Sequence, residues 1–293
     1  MSITIAEWFG YSPNDSSGRA RELREQALCP FTVSRCIKVF NDRTISGVCS
    51  VVTTREPTAP IHICPHRLYA HDYGMLRDVA KLAFGRAENV VHLSAYASVW
   101  GEAQVVAIPE LRLPSRGRGG AYFVDWILAR VSQDGTLVEF TAVEVQTIDT
   151  TGTYRPEVER LRSGSSSVVG SKAGLNWENV NKRILPQLIY KGHLLRREPL
   201  CRRGLFFVSP KRVYQAVLER LGGKLEAYEP QYGAITFLWY TLAPPTSGKP
   251  GQLVDDGHFS TTVDQVAWGF VAPSNLPPAG SYEKAIRAQL HLA

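Results

Sequence analysis

The sequence predicts an α/β or α+β core with central strands, preceded by a small N-terminal subdomain built around four cysteines. Three observations carry this. Segments with helix and strand periodicity follow one another in mixed order along the chain. Two of them, residues 121–131 and 137–148, are apolar on both faces apart from a few polar positions, as buried central strands are. Four of the five cysteines, Cys29, Cys36, Cys49 and Cys64, fall in the first quarter of the 293 residues. A chain of this length makes one large domain or two modest ones. The division expected is residues 1–88, holding the cysteines, and residues 89–293, holding the core and a C-terminal extension.

The elements follow in order. Ser16 or Ser17 caps a helix over residues 17–28, whose charges fill an exposed face. Cysteine-bearing loops come next, then a helix over 74–85 carrying Leu76, Val79, Ala80, Leu82 and Ala83. Residues 89–100 are β-branched and aromatic and read as a strand. Residues 114–120 form a glycine-rich basic loop before the two long strands, and 164–171 a mobile Ser/Gly-rich one. Residues 176–195 have helical spacing at Val180, Ile184 and Leu188, but Pro186 should kink or split that helix. A strand at 203–209, a helix at 210–221, a strand at 235–243, a loop at 246–251 and a terminal helix at 282–292 complete the chain.

Composition narrows the class. Hydrophobic content of 44% and charged content of 20% suit an ordered globular core. No apolar run approaches the roughly 18 residues that cross a bilayer, and the N-terminus lacks the basic and apolar regions of a signal peptide. No membrane partner and a cytoplasmic location are therefore expected. Lys and Arg number 33 against 27 for Asp and Glu, and the net charge of +6 suits a polyanionic partner.

In a reducing compartment a local group of cysteines reads as a metal site before it reads as disulfides. Four thiolates suit tetrahedral Zn or Fe and close the coordination shell, so such a site is structural. The gaps of 6, 12 and 14 residues contain no Cys-x-x-Cys knuckle. Cys29 and Cys64 each precede a proline that fixes the chain, and the turn-rich stretch 41–60 has little core of its own. The alternative is four separately buried thiols. His62 and His66 are possible substitute ligands, and Cys201 reads as a packing residue.

The most informative segment is the pair of long strands. Asp134-Gly135 between them signals a two-residue hairpin turn. Closing the turn there pairs Gln133 with Thr136 and, counting back, sets Asp125 opposite Glu144 on one face, Cβ atoms roughly 4.5–5.5 Å apart. Gln146 shares that face. Two like charges facing each other in a buried sheet stay ionised only with something positive between them, and Mg²⁺ held by oxygen ligands is the simplest answer. A buried arginine, or a bulge moving one carboxylate to the edge, is the other.

An Asp followed about twenty residues later by Glu-x-Lys on the next strand resembles the PD-(D/E)xK nucleases. Here Val124 stands at the motif's proline and Gln146 at its lysine. The four cysteines, Glu110, Asp125, Glu144-Val145-Gln146, Tyr154-Arg155-Pro156 and the run from Asn176 to Leu188 together resemble the NotI-type restriction endonucleases, whose signature is the Glu-x-Gln variant. The resemblance runs from about Arg21 to about Ser209. It implies an α/β restriction-endonuclease-like core with a mixed central sheet flanked by helices, with Asp125 and Glu144 holding catalytic Mg²⁺ and Gln146 at the position that orients the attacking water. It also implies Glu110 as a further acidic ligand or support, and Cys29, Cys36, Cys49 and Cys64 binding structural iron; chemistry alone does not separate iron from zinc. Members of the family cut GC-rich palindromes as homodimers, and a cognate methyltransferase is expected as a genetic rather than a physical partner.

Double-stranded DNA is thus the expected substrate of a type II endonuclease. Arg116 and Arg118, among glycines just before the Asp125 strand, suit phosphates or guanine edges. Lys182, Arg183, Lys191, Arg196, Arg197, Arg202 and Arg203 form a second basic stretch, read as phosphate contacts or a charged helix face. Arg155 is the expected contact near the scissile phosphate. Lys172 could add the charge that Gln146 lacks, although a solvated surface lysine is the more ordinary reading. The competing functions are a repair or defence nuclease that reads DNA structure, and a non-catalytic DNA-binding protein working through its Cys₄ module.

Overall fold

The hairpin around Asp134-Gly135 forms the middle of a seven-stranded sheet. A computed structural model describes residues 2–85, 89–99, 104–113, 122–165, 171–243, 246–273, 276 and 278–290. In chain order its elements are β1 (Ile3–Trp8), α1 (Gly18–Gln26), β2 (Val48–Thr53), β3 (Ile61–His62), a 3₁₀ turn (Pro65–Tyr69), α2 (Ala70–Phe84), β4 (Val90–His92), a second 3₁₀ segment (Leu93–Val99), β5 (Gln104–Leu113), β6 (Tyr122–Val131) and β7 (Leu137–Val145). Then come β8 (Thr150–Thr151), α3 (Arg155–Ser163), β9 (Gly174–Leu175), a π-helical turn (Val180–Ile184), α4 (Leu185–Leu195), β10 (Leu205–Pro210), α5 (Lys211–Leu221), β11 (Ala234–Leu242), β12 (Leu253–Thr262), α6 (Val263–Val271) and α7 (Ser281–Gln289). Among the described residues no helix is long and apolar enough to cross a membrane.

The large sheet runs β12-β11-β10-β7-β6-β5-β4. β10 is parallel to both β7 and β11, and β4 is parallel to β5, while the other neighbours are antiparallel. This mixed sheet with helices on both faces fits a restriction-endonuclease-like fold. One face packs Leu128, Val143, Phe206 and Leu238 with Met75, Leu76 and Val79 of α2. The other packs Ile127, Ala142, Phe207 and Phe237 with Leu188 and Leu195 of α4, Val213 of α5 and Val266 of α6. The buried residues Ile3, Ile5, Val51 and Ile61 of the small antiparallel sheet β1-β2-β3 belong to this second cluster.

Local chemistry explains the elements that match expectation. The Ser17 hydroxyl accepts a hydrogen bond from the Ala20 amide, capping α1. α2 is regular from Gly74 onward and ends at Gly85 in the left-handed region. Pro186 sits in the first turn of α4, where a missing N–H costs nothing, and the chain before it winds as a π turn. Two expectations are corrected. Of residues 89–100 only Val90–His92 is strand, and the small residues Ser94, Ala95 and Ala97, poor strand formers, lie in the 3₁₀ segment that follows.

The second correction concerns the hairpin turn. The Ser132 amide donates to Thr136 and the Gly135 amide to Ser132, so the loop holds three residues rather than two. The Asp134 carboxylate accepts bonds from the Ser132 hydroxyl and the Thr136 amide, and Gly135 adopts φ 80° to close the turn. The resulting one-residue slip is undone immediately. Arg130 pairs with Glu139 but Val131 with Leu137, leaving Val138 as a bulge. Beyond it the ladder has the expected register.

Candidate active site

β6 and β7 pair as far as Trp126 opposite Val143, so the next residues, Asp125 and Glu144, face each other. There the Asp125 side chain takes over from the backbone: its Oδ2 accepts a hydrogen bond from the Val145 amide at 2.7 Å. Strand parity turns both carboxylates toward α4, away from the α2 face that receives Trp126 and Val143. On the other side of β6, Pro109 pairs with Trp126 and Leu111 with Val124, so Glu110 of β5 is level with Asp125. Glu110 is exposed and holds φ 50°, a strained value for a residue with a Cβ.

Burial is the main cost of ionising this group of acidic residues, and repulsion between neighbours adds to it. Burial pushes the Glu144 carboxyl up to about 7, and the charge of Asp125 adds to the effect. Asp125 is likewise raised, by burial first and by Glu110 in smaller part, against the opposing bond from Val145. Lys191 of α4 provides compensation. It is 6% exposed, and its Nζ lies 2.6 Å from Glu144 Oε1. Tyr69, at the end of the first 3₁₀ turn, accepts a hydrogen bond from Trp126 Nε1 and is raised by its burial and by both carboxylates.

Sequence reading missed the placement of Lys191 and Tyr69. Lys191 stood in the second basic stretch as a phosphate contact or a solvated face residue, yet the structure buries it against Glu144. Gln146 lies just past β7. Its backbone amide donates to Val208, and its side-chain amide folds back to the Thr147 carbonyl at 3.0 Å.

The basic residues proposed for DNA have separate surroundings. Arg116 and Arg118 lie outside the described residues. Arg155 begins α3, pairs with Asp42 at 2.7 Å and stacks over Phe40, which ties the cysteine-bearing loops to that helix. Lys172 is exposed beside the buried Ala173. Lys182 pairs with Glu178, and Arg183 lies 3.5 Å from Asp149.

Cys29 lies just inside and Cys36 just outside a turn closed by the bridge between Leu28 and Arg35, Cys49 is on β2, and Cys64 follows β3. Burial and the other thiolates raise Cys49 well above an ordinary thiol, and Cys64 is pushed up to about 11, again chiefly by burial. The thiols thus sense one another. Even so, among the described residues no three His, Cys, Asp or Glu side chains stand grouped as a metal would hold them. His62 is buried with neither ring nitrogen hydrogen-bonded, and burial pulls it down to about 3. His66 packs against Tyr69 with Nδ1 3.5 Å from the Thr32 hydroxyl. Cys201 is fully buried, its thiol donating to the Gly204 carbonyl.

The family model described as restriction endonuclease NotI matches residues 16–203, well over half of the chain. No curated protein matches it. The matched span contains the four N-terminal cysteines, Glu110, Asp125, Glu144 and Lys191, and it ends just before β10. Restriction endonucleases of this kind are type II enzymes that act on DNA and generally use Mg²⁺. The chain belongs to the NotI restriction endonuclease family and is an endodeoxyribonuclease.

Proposed function

We propose that this endonuclease hydrolyses both strands of DNA at a GC-rich palindromic site, with Asp125 and Glu144 as the pair that holds Mg²⁺. The observation that carries this reading is the β6–β7 ladder, which puts two partly buried carboxylates face to face where their mutual repulsion invites a cation. Two carboxylates suffice for Mg²⁺, which keeps several waters and leaves places for a phosphate oxygen and a nucleophile. When bound, the ion supplies Lewis acidity and lowers the pKa of water. The residues of the chain do the positioning. The Val145 amide fixes the Asp125 carboxylate, Lys191 fixes Glu144, and Glu110 adds negative charge from β5. Gln146 borders the pair with a side chain that hydrogen-bonds and carries no charge.

The rest of the reading stands on the family resemblance and on the chemistry of the residue types. Arg116, Arg118, Arg155, Lys172, Lys182 and Arg183 contact DNA, and two chains act as a homodimer on a two-fold site. Residues 1–88 carry the cysteines and, through α2, one wall of the core, and residues 89–293 carry the seven-stranded nuclease sheet. By the family resemblance Cys29, Cys36, Cys49 and Cys64 would hold one structural iron or zinc ion, a grouping the described residues do not show, and the enzyme works in the cytoplasm beside a genetically linked methyltransferase.

Digestion of a phage genome by the purified chain with Mg²⁺ tests the proposal. Discrete fragments are expected, and Asp125→Ala and Glu144→Ala are expected to abolish them while leaving DNA binding in Ca²⁺ intact. A smear would indicate a nuclease that reads structure rather than sequence, and fragments from either variant would remove these carboxylates from the chemistry.

A further inference from the structure

A lysine on the buried face of a helix requires a reason. Leu188, Lys191, Gly192 and Leu195 form the stripe of α4 that faces the sheet, and three of these four positions hold the apolar or small residues such a stripe needs. Lysine is almost never buried unless paired. Here it is paired, at 2.6 Å, with Glu144, and its charge also reaches Asp125. Helix seating makes the contact possible. At Gly192 a Cβ would lie 2.7 Å from Val263 Cγ2, so only glycine lets α4 approach this closely beside Lys191. Meanwhile Gln146 is neutral, and its amide is engaged with the Thr147 carbonyl.

We propose that Lys191, reaching the acidic pair from α4, is a catalytic residue that supplies the positive charge a lysine at position 146 would otherwise bring to the attacking water and the scissile phosphate. In the step it serves, the water oxygen bonds to phosphorus as the bond to the 3′-oxygen breaks. The water gives up a proton to solvent, and the 3′-oxygen takes one to leave as a hydroxyl. The ammonium holds the water and offsets charge growing on the phosphoryl oxygens, while its bond to Glu144 keeps it in place. This inference rests on Asp125 and Glu144 being the catalytic pair.

The test compares wild type, Lys191→Met, Lys191→Gln and the double variant Gln146→Lys/Lys191→Gln as full-length chains. Single-turnover cleavage is followed in Mg²⁺, DNA affinity in Ca²⁺, and Mn²⁺ binding by electron paramagnetic resonance. Lys191→Gln, which keeps a hydrogen-bond donor toward Glu144, guards against misfolding of Lys191→Met. Both single variants should cleave about 100-fold or more slowly, with unchanged DNA affinity. Mn²⁺ binding should tighten, because no ammonium competes for Glu144. The double variant should recover at least about tenfold, or about 1.4 kcal/mol of barrier. Lys191→Gln cleaving within about threefold of wild type (less than 1 kcal/mol), weakened Mn²⁺ binding, or no recovery in the double variant would each overturn the inference. Asp125→Ala serves as the control. If it cleaves like wild type, the catalytic pair itself has been misassigned; if it is inert, the Lys191 variants decide the present question.

Discussion

Arg67→Met isolates a charge that has no access to water. Arg67 and Glu7 are both 0% exposed; Arg67 Nε lies 3.1 Å from Glu7 Oε2, and Nη2 donates to the Gly251 carbonyl at 2.5 Å. The guanidinium also stacks on Phe31, 4.4 Å from the ring centre. One side chain thus joins β1, a cysteine-bearing loop and the segment before β12. Removing it leaves a buried carboxylate unpaired, which costs about 3–5 kcal/mol, a large fraction of the roughly 5–15 kcal/mol typical of native proteins. Burial already raises the Glu7 carboxyl, against the pull of Arg67. In the variant that pull is gone, so the folded pKa rises further above the unfolded one. A raised group contributes stability below its unfolded pKa and loses it as pH climbs through the folded value. The loss should therefore be smaller near pH 5 than near pH 8, because a carboxyl raised above its ordinary range is the more protonated at the lower pH. Urea unfolding followed by tryptophan fluorescence at both pH values measures it as a shift in midpoint at constant slope. Replacing Glu7 as well, by Leu, should restore most of the stability. A loss below about 1 kcal/mol, which is the scale of an exposed pair, or one independent of pH, would refute the reasoning.

Other expectations concern the site more directly. Gly192→Ala should lift α4 by a few tenths of an ångström, slowing cleavage about tenfold, while stability moves by under about 2 kcal/mol because alanine's helix preference offsets overpacking. Wild-type cleavage in that variant would show that α4 seating does not set Lys191. Because Glu144 titrates at about 7 and accepts a cation only when ionised, the half-saturating Mg²⁺ concentration should rise about tenfold per pH unit below that value and level off above it; a flat profile would contradict the assignment. If the four cysteines hold a metal as proposed, elemental analysis should find about one iron or zinc ion per wild-type chain, and Cys49→Ser should lose it and lower the melting temperature. A metal content equal to wild type would favour separately buried thiols.

The acidic pair was legible because its signals are local. Two β-rich apolar runs and an Asp-Gly turn lie within about twenty-five residues of one another, and the pairing across a hairpin is set by its own turn. The turn is one residue wider than an Asp-Gly signal predicts, since Asp134 bonds Ser132 and Thr136. The Val138 bulge restores the register, so Asp125 and Glu144 still face each other. The same locality made α1 readable from Ser17 and the end of α2 from Gly85. The β1-β2-β3 sheet escaped notice because its strands are short and far apart in sequence, joined by packing against the larger core.

Sequence alone determined that Asp125 and Glu144 meet, because two strands joined by a tight turn leave their side chains little choice. Tertiary structure decided what meets them. Lys191 is forty-seven positions from Glu144; its place between Leu188 and Leu195 on the inward stripe of α4 sets it apart from Lys182 and Arg196, but nothing in that stripe says which carboxylate it meets. Only the close seating of α4 on the sheet, allowed by a glycine and fixed by packing from α6, converts a member of a basic stretch into the counter-charge of the site.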